Sequence, residues 1–262
     1  MSEPNVTREQ RDGVAILTLN RPSAANSIDL PLARELMLAA IACDDDPEVR
    51  AVVLTGAGKM FCAGGDLRSF SGAGAAVASH LKELTSYLHA AISRLVRMDA
   101  PVIAAVNGMA AGAGFSLAAA ADLVIAADTA GFVMAYTQAG LVPDGSSTFF
   151  LPRRIGDRRA RELMLTNRRL SAAEALEWGL VNRVVPAERL LPEATALATT
   201  LAAGPTRALG AVKALLNESF EHGLEAQMEL EARAIAAAAG TSDGREGVRA
   251  FLEKRKPEFT GR

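Results

Sequence analysis

Two glycine-rich segments of the sequence have the composition needed to bring main-chain amides close to a ligand. Residues 61–67 contain the adjacent glycines Gly64 and Gly65, and a glycine pair lets a backbone approach another molecule without an intervening side chain. Residues 106–114 open an alanine-rich helical stretch, and the first turn of a helix carries free NH groups and a positive dipole end. The second segment therefore predicts a site for developing negative charge, while residues 61–67 alone also suit a simple tight turn.

Residues 139–145 contain a carboxylate that could transfer protons: Asp144, which follows Pro143 and precedes Gly145. An aspartate in this position is also suited to cap a helix, because Gly-Ser-Ser-Thr follows it at the start of a helical region. The residues alone leave two roles open for Asp144, helix capping and acid–base chemistry.

The charge and cysteine content of the chain argue against several classes of function. Lys and Arg total 28 and Asp and Glu total 30, so there is no basic excess of the kind that attracts nucleic acid. The two cysteines have neither disulfide-framework nor zinc-site spacing, which predicts the reducing cytoplasm and no metal site. The apolar segment 102–127 is long enough to span a bilayer, but Asn107 and Asp122 interrupt it. We therefore expect buried core there and no membrane partner.

Strand-like and helix-like segments alternate in the first half of the chain. Val14–Leu19, residues 51–55 and Val102–Val106 are short apolar runs, rich in branched residues, and predict strands. Residues 30–43 and 79–98 have apolar side chains at helical spacing. Alternation of this kind predicts crossover connections and mainly parallel strand pairing.

After Pro143 the pattern becomes almost entirely helical. The predicted helices cover residues 160–165, 172–178, 190–203, 207–219, 224–239 and 245–255. We expect one domain, with a core over residues 1–200 and a helical C-terminal region over residues 201–262. The small apolar side chains of residues 224–239 suit either packing within the chain or a contact between subunits.

The glycine-rich segments 61–67 and 106–117 resemble the two oxyanion-hole motifs of the crotonase superfamily, the enoyl-CoA hydratases and isomerases, in order and separation. The likeness extends to residues 21–26, which are similar to the family's early CoA-contacting loop, and to residues 178–181 and 247–262. It covers almost the whole chain. The resemblance implies an α/β fold, the ClpP/crotonase-like spiral of β-β-α turns, with a helical C-terminal region that builds a homotrimer or a dimer of trimers.

The resemblance also implies a set of site residues for an acyl-CoA substrate. The NH groups of Ala63 and Ala113 are expected to bind the thioester oxygen. Contacts with the substrate or its CoA are implied for Ala24, Ala25, Ala63, Gly64, Gly65, Asp66, Leu67, Gly112, Ala113 and Tyr136. Proton removal next to a thioester passes through an enolate, and preorganised donors stabilise the charge on its oxygen. No cofactor is implied beyond the CoA that forms part of the substrate, and no metal.

Enoyl-CoA hydratases of this family use two glutamates, and the matching positions here are Ser116 and Tyr136. Neither can act as a carboxylate acid or base, which argues against simple hydration. Residues 139–145 instead resemble the enoyl-CoA isomerases of phenylacetyl-CoA catabolism, whose catalytic aspartate matches Asp144. One carboxylate suits a 1,3-proton shift, because it can take a proton from one carbon and return it to another. The resemblance thus implies an isomerase with Asp144 as acid and base.

Three different functions also stay open. His89, together with Asp144 and residues 162–168, resembles 4-chlorobenzoyl-CoA dehalogenase, in which the aspartate attacks the aromatic ring and the histidine activates water. Tyr136 departs from that pattern, which has Trp, and a lone histidine on a helix also suits a plain surface or core position. The second function is that of a hydratase that relies on other groups. The third is that of an acyl-CoA-binding protein that keeps the oxyanion hole without catalysis.

Overall fold

The computed structural model describes residues 3–262, which form two β-sheets and the helices that accompany them. The strands are β1 (Val6–Arg11), β2 (Val14–Leu19), β3 (Ala51–Gly56), β4 (Met60–Cys62), β5 (Val102–Val106), β6 (Met109–Ala111), β7 (Leu123–Ala127), β8 (Gly131–Val133), β9 (Leu170–Ser171) and β10 (Arg183–Val185). The helices are α1 (Leu30–Asp45), α2 (Leu67–Gly72), α3 (Val77–Arg97), α4 (Ala113–Ala120), α5 (Ser147–Ile155), α6 (Asp157–Thr166), α7 (Ala172–Glu177), α8 (Leu190–Ala202), α9 (Thr206–Glu218), α10 (Leu224–Ala239) and α11 (Ser242–Leu252).

The larger sheet has the strand order β1-β2-β3-β5-β7-β10. Its strands pair in parallel from β2 onwards, as the alternating pattern predicts, and β1 pairs with β2 in the antiparallel direction. The β1–β2 turn consists of Asp12 and Gly13, both with positive φ, which a two-residue hairpin turn of this kind requires. Every residue of β3 and β5 is buried, as expected for parallel strands that are covered on both faces.

The smaller sheet has the strand order β4-β6-β8-β9. Along the chain, β3, β5 and β7 of the larger sheet are each followed directly by a strand of the smaller sheet, namely β4, β6 and β8. Helices come after each pair of strands: α2 and α3 after β4, α4 after β6, and α5 after β8. This repetition is the expected spiral of β-β-α turns.

The longer predicted elements are confirmed with small shifts at their ends. The helix predicted over residues 79–98 is α3, and the apolar segment 102–127 folds as β5, β6, α4 and β7 in the core. Within residues 3–262, no helix combines the length and the apolar character that crossing a membrane requires. The sequence patterns missed the strands of the smaller sheet, which have only two or three residues each.

Helices α9 to α11 lie within residues 201–262, where the sequence predicts a helical C-terminal part. Lys213 of α9 attaches this part to the core: its buried ammonium donates to the carbonyl oxygens of Leu95 at 3.2 Å and Ala100 at 2.9 Å. It also pairs with the carboxylate of Asp122 at 2.8 Å. None of residues 224–239 in α10 is buried, and most side chains of this helix are exposed in the single chain.

Candidate active site

The two glycine-rich segments lie side by side because the strands that precede them are neighbours. β4 and β6 pair in parallel, with Cys62 opposite Ala110. The turns after these strands approach so closely that a Cβ atom on Gly64 would lie 2.8 Å from the carbonyl oxygen of Ala111. Gly64 also has a φ of +90°, so both space and backbone conformation demand glycine there. The fold thus brings main-chain amides of both segments to one place.

Gly65 supplies the free amide of the first turn. The NH of Ile28 donates to the carbonyl oxygen of Gly64 at 2.7 Å, and the NH of Asp66 donates to the carbonyl oxygen of Ile28 at 2.9 Å. The carbonyl of Gly64 and the NH of Gly65 belong to one trans peptide and point in opposite directions, so this NH points away from Ile28. It has no acceptor among the described residues, and Gly65 lines an apolar cavity.

The prediction that Ala63 supplies the first oxyanion donor is wrong. The NH of Ala63 donates to the carbonyl oxygen of Ala25 at 3.0 Å, so it is already used within the chain. This bond fastens the glycine-rich turn to the loop before α1, where Ala25 has a left-handed φ of +53°. Ala63 still lines the cavity, but the donor facing it is Gly65, which sequence reasoning placed only among the substrate contacts.

Ala113 supplies the amide of the second turn. It is the first residue of α4, so its NH has no acceptor one helical turn earlier, and it has none among the other described residues. The next residue, Gly114, packs so closely on β4 that a Cβ atom would lie 2.4 Å from the carbonyl oxygen of Cys62. The NH groups of Gly65 and Ala113, with the positive end of the helix dipole, suit stabilisation of an oxyanion.

An apolar cavity of about 270 Å³ opens beside these amides, between the glycine-rich turns, α3 and the chain before α5. Its lining residues are Ile28, Ala63, Gly64, Gly65, Leu67, Phe70, Leu81, Leu84, Thr85, Leu88, Gly112, Ala113, Ala135, Tyr136, Ala139, Leu141, Val142 and Asp144. The polar side chains in this set are Thr85, Tyr136 and Asp144. Such a lining favours an uncharged, largely apolar ligand group.

Asp144 places its carboxylate on the cavity wall, with 27% of the side chain exposed. Its Oδ1 accepts a hydrogen bond of 2.6 Å from the phenol of Tyr136. Burial and the negative charge of Asp144 raise the pKa of Tyr136, so the phenol keeps its proton and remains a donor. Asp144 does not cap α5, because Ser146 occupies the N-cap position. Its carboxylate therefore remains available for proton transfer.

Ser116 joins Tyr136 in holding the segment that carries Asp144. The hydroxyl of Ser116, which is fully buried on α4, donates to the main-chain carbonyl of Asp144 at 2.9 Å. Its Oγ also lies 3.1 Å from the hydroxyl of Tyr136. The two positions where the resemblance places hydratase glutamates thus hold groups that support a different carboxylate.

His89 lies beside Asp144 on the outer side of the site. Its Nε2 is 3.4 Å from Oδ2 of Asp144, and it accepts a hydrogen bond of 3.3 Å from the NH of Gly145. About half of the His89 side chain, 51%, is exposed, and His89 is not among the described residues that line the cavity. The fold therefore brings this histidine to the carboxylate but not to the acyl site.

Three of the predicted substrate contacts lie outside the cavity lining. Ala24 ends a short helical turn, and Ala25 accepts the NH of Ala63. Asp66 caps the N-terminus of α2 and forms an ion pair of 3.2 Å with Arg21. The structure thus gives Ala25 and Asp66 roles in shaping the first glycine-rich turn.

Sequence reasoning missed the part of the cavity wall that α3 contributes. Leu81, Leu84 and Thr85 all line the cavity from this helix. The two leucines belong to the apolar face of α3 that is visible in the sequence, but a periodic pattern predicts burial without showing the partner. Thr85 has no such signal, because its hydroxyl bonds to the carbonyl of Leu81 in its own helix.

Cys62, beside the first turn, is unsuited to nucleophilic chemistry. Burial raises the pKa of its thiol to about 12, so the sulfur stays protonated at neutral pH. Among residues 3–262, no three His, Cys, Asp or Glu side chains are grouped so that they could hold a metal ion. The acid–base chemistry of the site therefore centres on Asp144 and its neighbours.

A spiral fold whose free amides come from two consecutive turns suits an enzyme that stabilises the oxyanion of a thioester enolate. Comparison with known proteins agrees, because the model of the enoyl-CoA hydratase/isomerase family matches residues 9–262. The chain belongs to this family. It is a crotonase-superfamily enzyme that acts on acyl-CoA thioesters.

Relatives within the family have different activities. The 1,2-epoxyphenylacetyl-CoA isomerase of Escherichia coli is 42% identical over 95% of this chain and 96% of that protein. The 4-chlorobenzoyl coenzyme A dehalogenase-2 of an Arthrobacter species is 38% identical over 97% of this chain and 92% of that protein. The crystal structure of an enoyl-CoA hydratase from a Polaromonas species matches with a TM-score of 0.93 and 37% identity, over 97% of this chain and 99% of that chain.

Proposed function

We propose that the protein is an enoyl-CoA isomerase that moves a double bond along the acyl chain of a CoA thioester. The observation that carries this proposal is the single carboxylate of Asp144 on the wall of a cavity that Gly65 and Ala113 also line. Hydration needs one group to activate water and another to deliver a proton, whereas a proton shift needs only one. The two positions that would carry hydratase glutamates are Ser116 and Tyr136, and both bond to Asp144.

The proposed reaction starts from a 3-enoyl thioester whose carbonyl oxygen accepts from the NH groups of Gly65 and Ala113. Asp144 takes a proton from the α-carbon, so that a C–H bond breaks, an O–H bond forms and the electron pair moves into a dienolate. The amides stabilise the charge on its oxygen, and one such donor contributes roughly 3 kcal/mol. Asp144 then returns a proton to the γ-carbon, which leaves the double bond between the α- and β-carbons. The electrons stay within the substrate, so the reaction needs no redox cofactor.

The cavity also indicates the class of acyl group. Apart from Asp144, its lining contains no charged side chain, and most of it is aliphatic or aromatic. A carboxylate or ammonium group on the acyl chain would lose its hydration there without gaining a partner. We therefore propose an uncharged, apolar acyl group, and the likeness to the 1,2-epoxyphenylacetyl-CoA isomerase of Escherichia coli supports isomerisation.

The variant Asp144→Asn tests the proposal with a 3-enoyl-CoA ester, by following the position of the double bond in the product with NMR. We expect kcat to fall by about 100-fold or more, since general acid–base catalysis of this kind contributes about 10²–10⁴. The Kd of the ester should stay within about threefold, because the amides and the cavity are unchanged. Asp157→Asn is the control, since Asp157 is exposed on α6 and pairs with Arg161. Isomerisation at an undiminished rate in Asp144→Asn would contradict the proposal.

The contact between His89 and Asp144 favours a second candidate, hydrolytic dehalogenation of an aryl-CoA ester. In that reaction the carboxylate attacks the ring, halide leaves, and water activated by the histidine hydrolyses the ester. A turnover screen with 3-enoyl-, 2-enoyl- and 4-chlorobenzoyl-CoA separates the candidates by double-bond shift, hydration and chloride release. Binding of these esters without turnover would instead identify an acyl-CoA-binding protein.

We also propose that the chain forms a homotrimer or a dimer of trimers through its C-terminal helices. Several large apolar side chains of α9 to α11 and their connections are exposed in the single chain: Leu216, Phe220, Leu224, Ile235, Val248, Phe251 and Leu252. Exposure of several large apolar side chains in one part of the chain is typical of a contact surface. Analytical ultracentrifugation tests the proposal, and a monomer at all concentrations would contradict it.

A further inference from the structure

The carboxylate of Asp144 connects two spaces. On one side it lines the acyl cavity, where Tyr136 donates to Oδ1 at 2.6 Å. On the other side, Oδ2 lies 3.4 Å from Nε2 of His89. His89 lines a separate, open recess together with Arg97 and Ser146. Within the described part of the chain, the two spaces share no lining residue, and the contact between His89 and Asp144 joins one lining to the other.

The ring of His89 can accept a proton from Asp144. Its Nε2 accepts the NH of Gly145 at 3.3 Å, so the neutral ring carries its lone pair on Nε2 and its proton on Nδ1. Nδ1 has no hydrogen-bond partner among the described residues. About half of the side chain is exposed, against 27% for Asp144. Nε2 lies within reach of both the NH of Gly145 and Oδ2 of Asp144, so a proton that arrives from the carboxylate replaces the bond from Gly145. The exposed ring is itself open to water.

Charged and polar groups face this contact from more than one side. The carboxylate of Asp144 lies next to the ring of His89, and Arg97 lines the same recess. Tyr136 faces the other carboxylate oxygen and keeps its own proton. No acidic side chain is among the described residues that line the recess of His89.

We propose that His89 relays the proton of Asp144 to bulk water during turnover, so that the proton taken from the substrate exchanges before it is returned. The inference rests on the proposed isomerase function. After Asp144 has taken the α-proton, its O–H bond breaks and an N–H bond forms at Nε2 of His89. The imidazolium exchanges its protons with water and gives one back to the carboxylate, which delivers it to the γ-carbon. His89 acts through Asp144 and does not touch the acyl group.

Turnover in D₂O tests this relay. A 3-enoyl-CoA ester is converted by the unmutated protein and by His89→Gln, and mass spectrometry measures deuterium at the γ-carbon of the product. We expect the unmutated protein to incorporate deuterium, and His89→Gln to reduce the incorporated fraction by about tenfold while it still forms product. Glutamine keeps an acceptor for the NH of Gly145 but cannot carry a proton. His222→Gln is the control, because His222 lies near Glu218, after α9.

The relay would be overturned if the unmutated protein formed product without deuterium. It would also be overturned if the product of the unmutated protein and the product of His89→Gln contained equal amounts of deuterium. A failure of the proposed function looks different, because the double bond then stays where it is. In that event a saturated acyl-CoA ester provides the readout, since its α-hydrogens can exchange without any double bond to move. The relay is supported if the unmutated protein exchanges the α-hydrogens and His89→Gln does so much more slowly. It is overturned if the unmutated protein shows no exchange, or if both proteins exchange at the same rate.

Discussion

At Asp144, all three oxygen atoms of the residue have polar neighbours. Tyr136 donates to Oδ1, His89 lies beside Oδ2, and Ser116 donates to the main-chain carbonyl. A carboxylate that is held at all of these points has little freedom to rotate. The base is thereby kept in one orientation toward the cavity, which general acid–base catalysis requires.

The variant Tyr136→Phe tests the contribution of the phenol. A hydrogen bond to a charged group contributes roughly 1.5–3 kcal/mol, so we expect kcat to fall by about tenfold or more with little change in KM. The control is Tyr87→Phe, which removes the other tyrosine hydroxyl of the chain. An unchanged kcat in Tyr136→Phe would show that the phenol does not support the carboxylate.

At the scale of elements, the site depends on how closely α4 packs on β4. Gly114 lies where a Cβ atom would come within 2.4 Å of the carbonyl oxygen of Cys62 and 2.6 Å of its Cβ. Both neighbours belong to a buried strand and cannot move aside cheaply. The distance between the two turns, and with it the placement of the amides of Gly65 and Ala113, is therefore set by a residue that touches no substrate.

The variant Gly114→Ala is expected to separate the two oxyanion donors. We predict a fall in kcat of about 100-fold, which is the loss expected when one such donor is removed. The free energy of unfolding should fall by about 1–3 kcal/mol, because the extra methyl group overpacks the core. Gly72→Ala is the matched control, since a Cβ atom there meets nothing within 4 Å. Full activity in Gly114→Ala, with kcat measured on the same 3-enoyl-CoA ester, would contradict this role for the glycine.

Elements formed by local interactions could be predicted from the sequence, whereas elements formed by contacts between distant residues could not. Long elements such as α1 and α3 could be predicted, because their apolar periodicity is local. The three-residue strands β4, β6 and β8 could not, because they exist only through pairing with one another. The same limit explains the error at Ala63: which amide of the turn is free depends on the remote partners Ile28 and Ala25.

Asp144 and Ala113 could be proposed from the sequence because each lies in a short motif. The contact between His89 and Asp144 could not be derived that way, since it joins α3 to the chain before α5. The capping role that local sequence favours for Asp144 is absent as well, because α5 begins at Ser147, three residues later. Side-chain chemistry was therefore easier to predict than side-chain geometry.

At the scale of the whole molecule, the spiral core and the helical C-terminal part are joined through a buried ion pair. Lys213 on α9 contacts Asp122 at 2.8 Å, and Asp122 lies between α4 and β7 of the core. Burial raises the pKa of Asp122 even though the ammonium of Lys213 lowers it. Asp99 depends on the same cation, since its pKa is also raised by burial and lowered by Arg207 and Lys213.

The variant Lys213→Met should leave Asp122 without its counter-charge. Breaking a buried pair on one side costs about 3 kcal/mol or more, and we expect a loss of that order in the free energy of unfolding at pH 7. Lys82→Met is the control, because Lys82 is exposed on α3. Urea denaturation followed by circular dichroism measures both variants, and equal stabilities would show that the pair does not join the two parts.

The cost of Lys213→Met should depend on pH in a definite direction. Asp122 has an ordinary pKa of 3.8 when unfolded and a raised pKa when folded, and without Lys213 the folded value rises further. The folded state then holds a proton that the unfolded state releases, so stability falls as pH rises from about 3.8 through the folded pKa. The difference between the variant and the unmutated protein should therefore shrink as the pH is lowered from 7 towards 4. Urea midpoints measured across this range check the sign, and a difference that stays constant or grows at low pH would assign the destabilisation to lost packing instead.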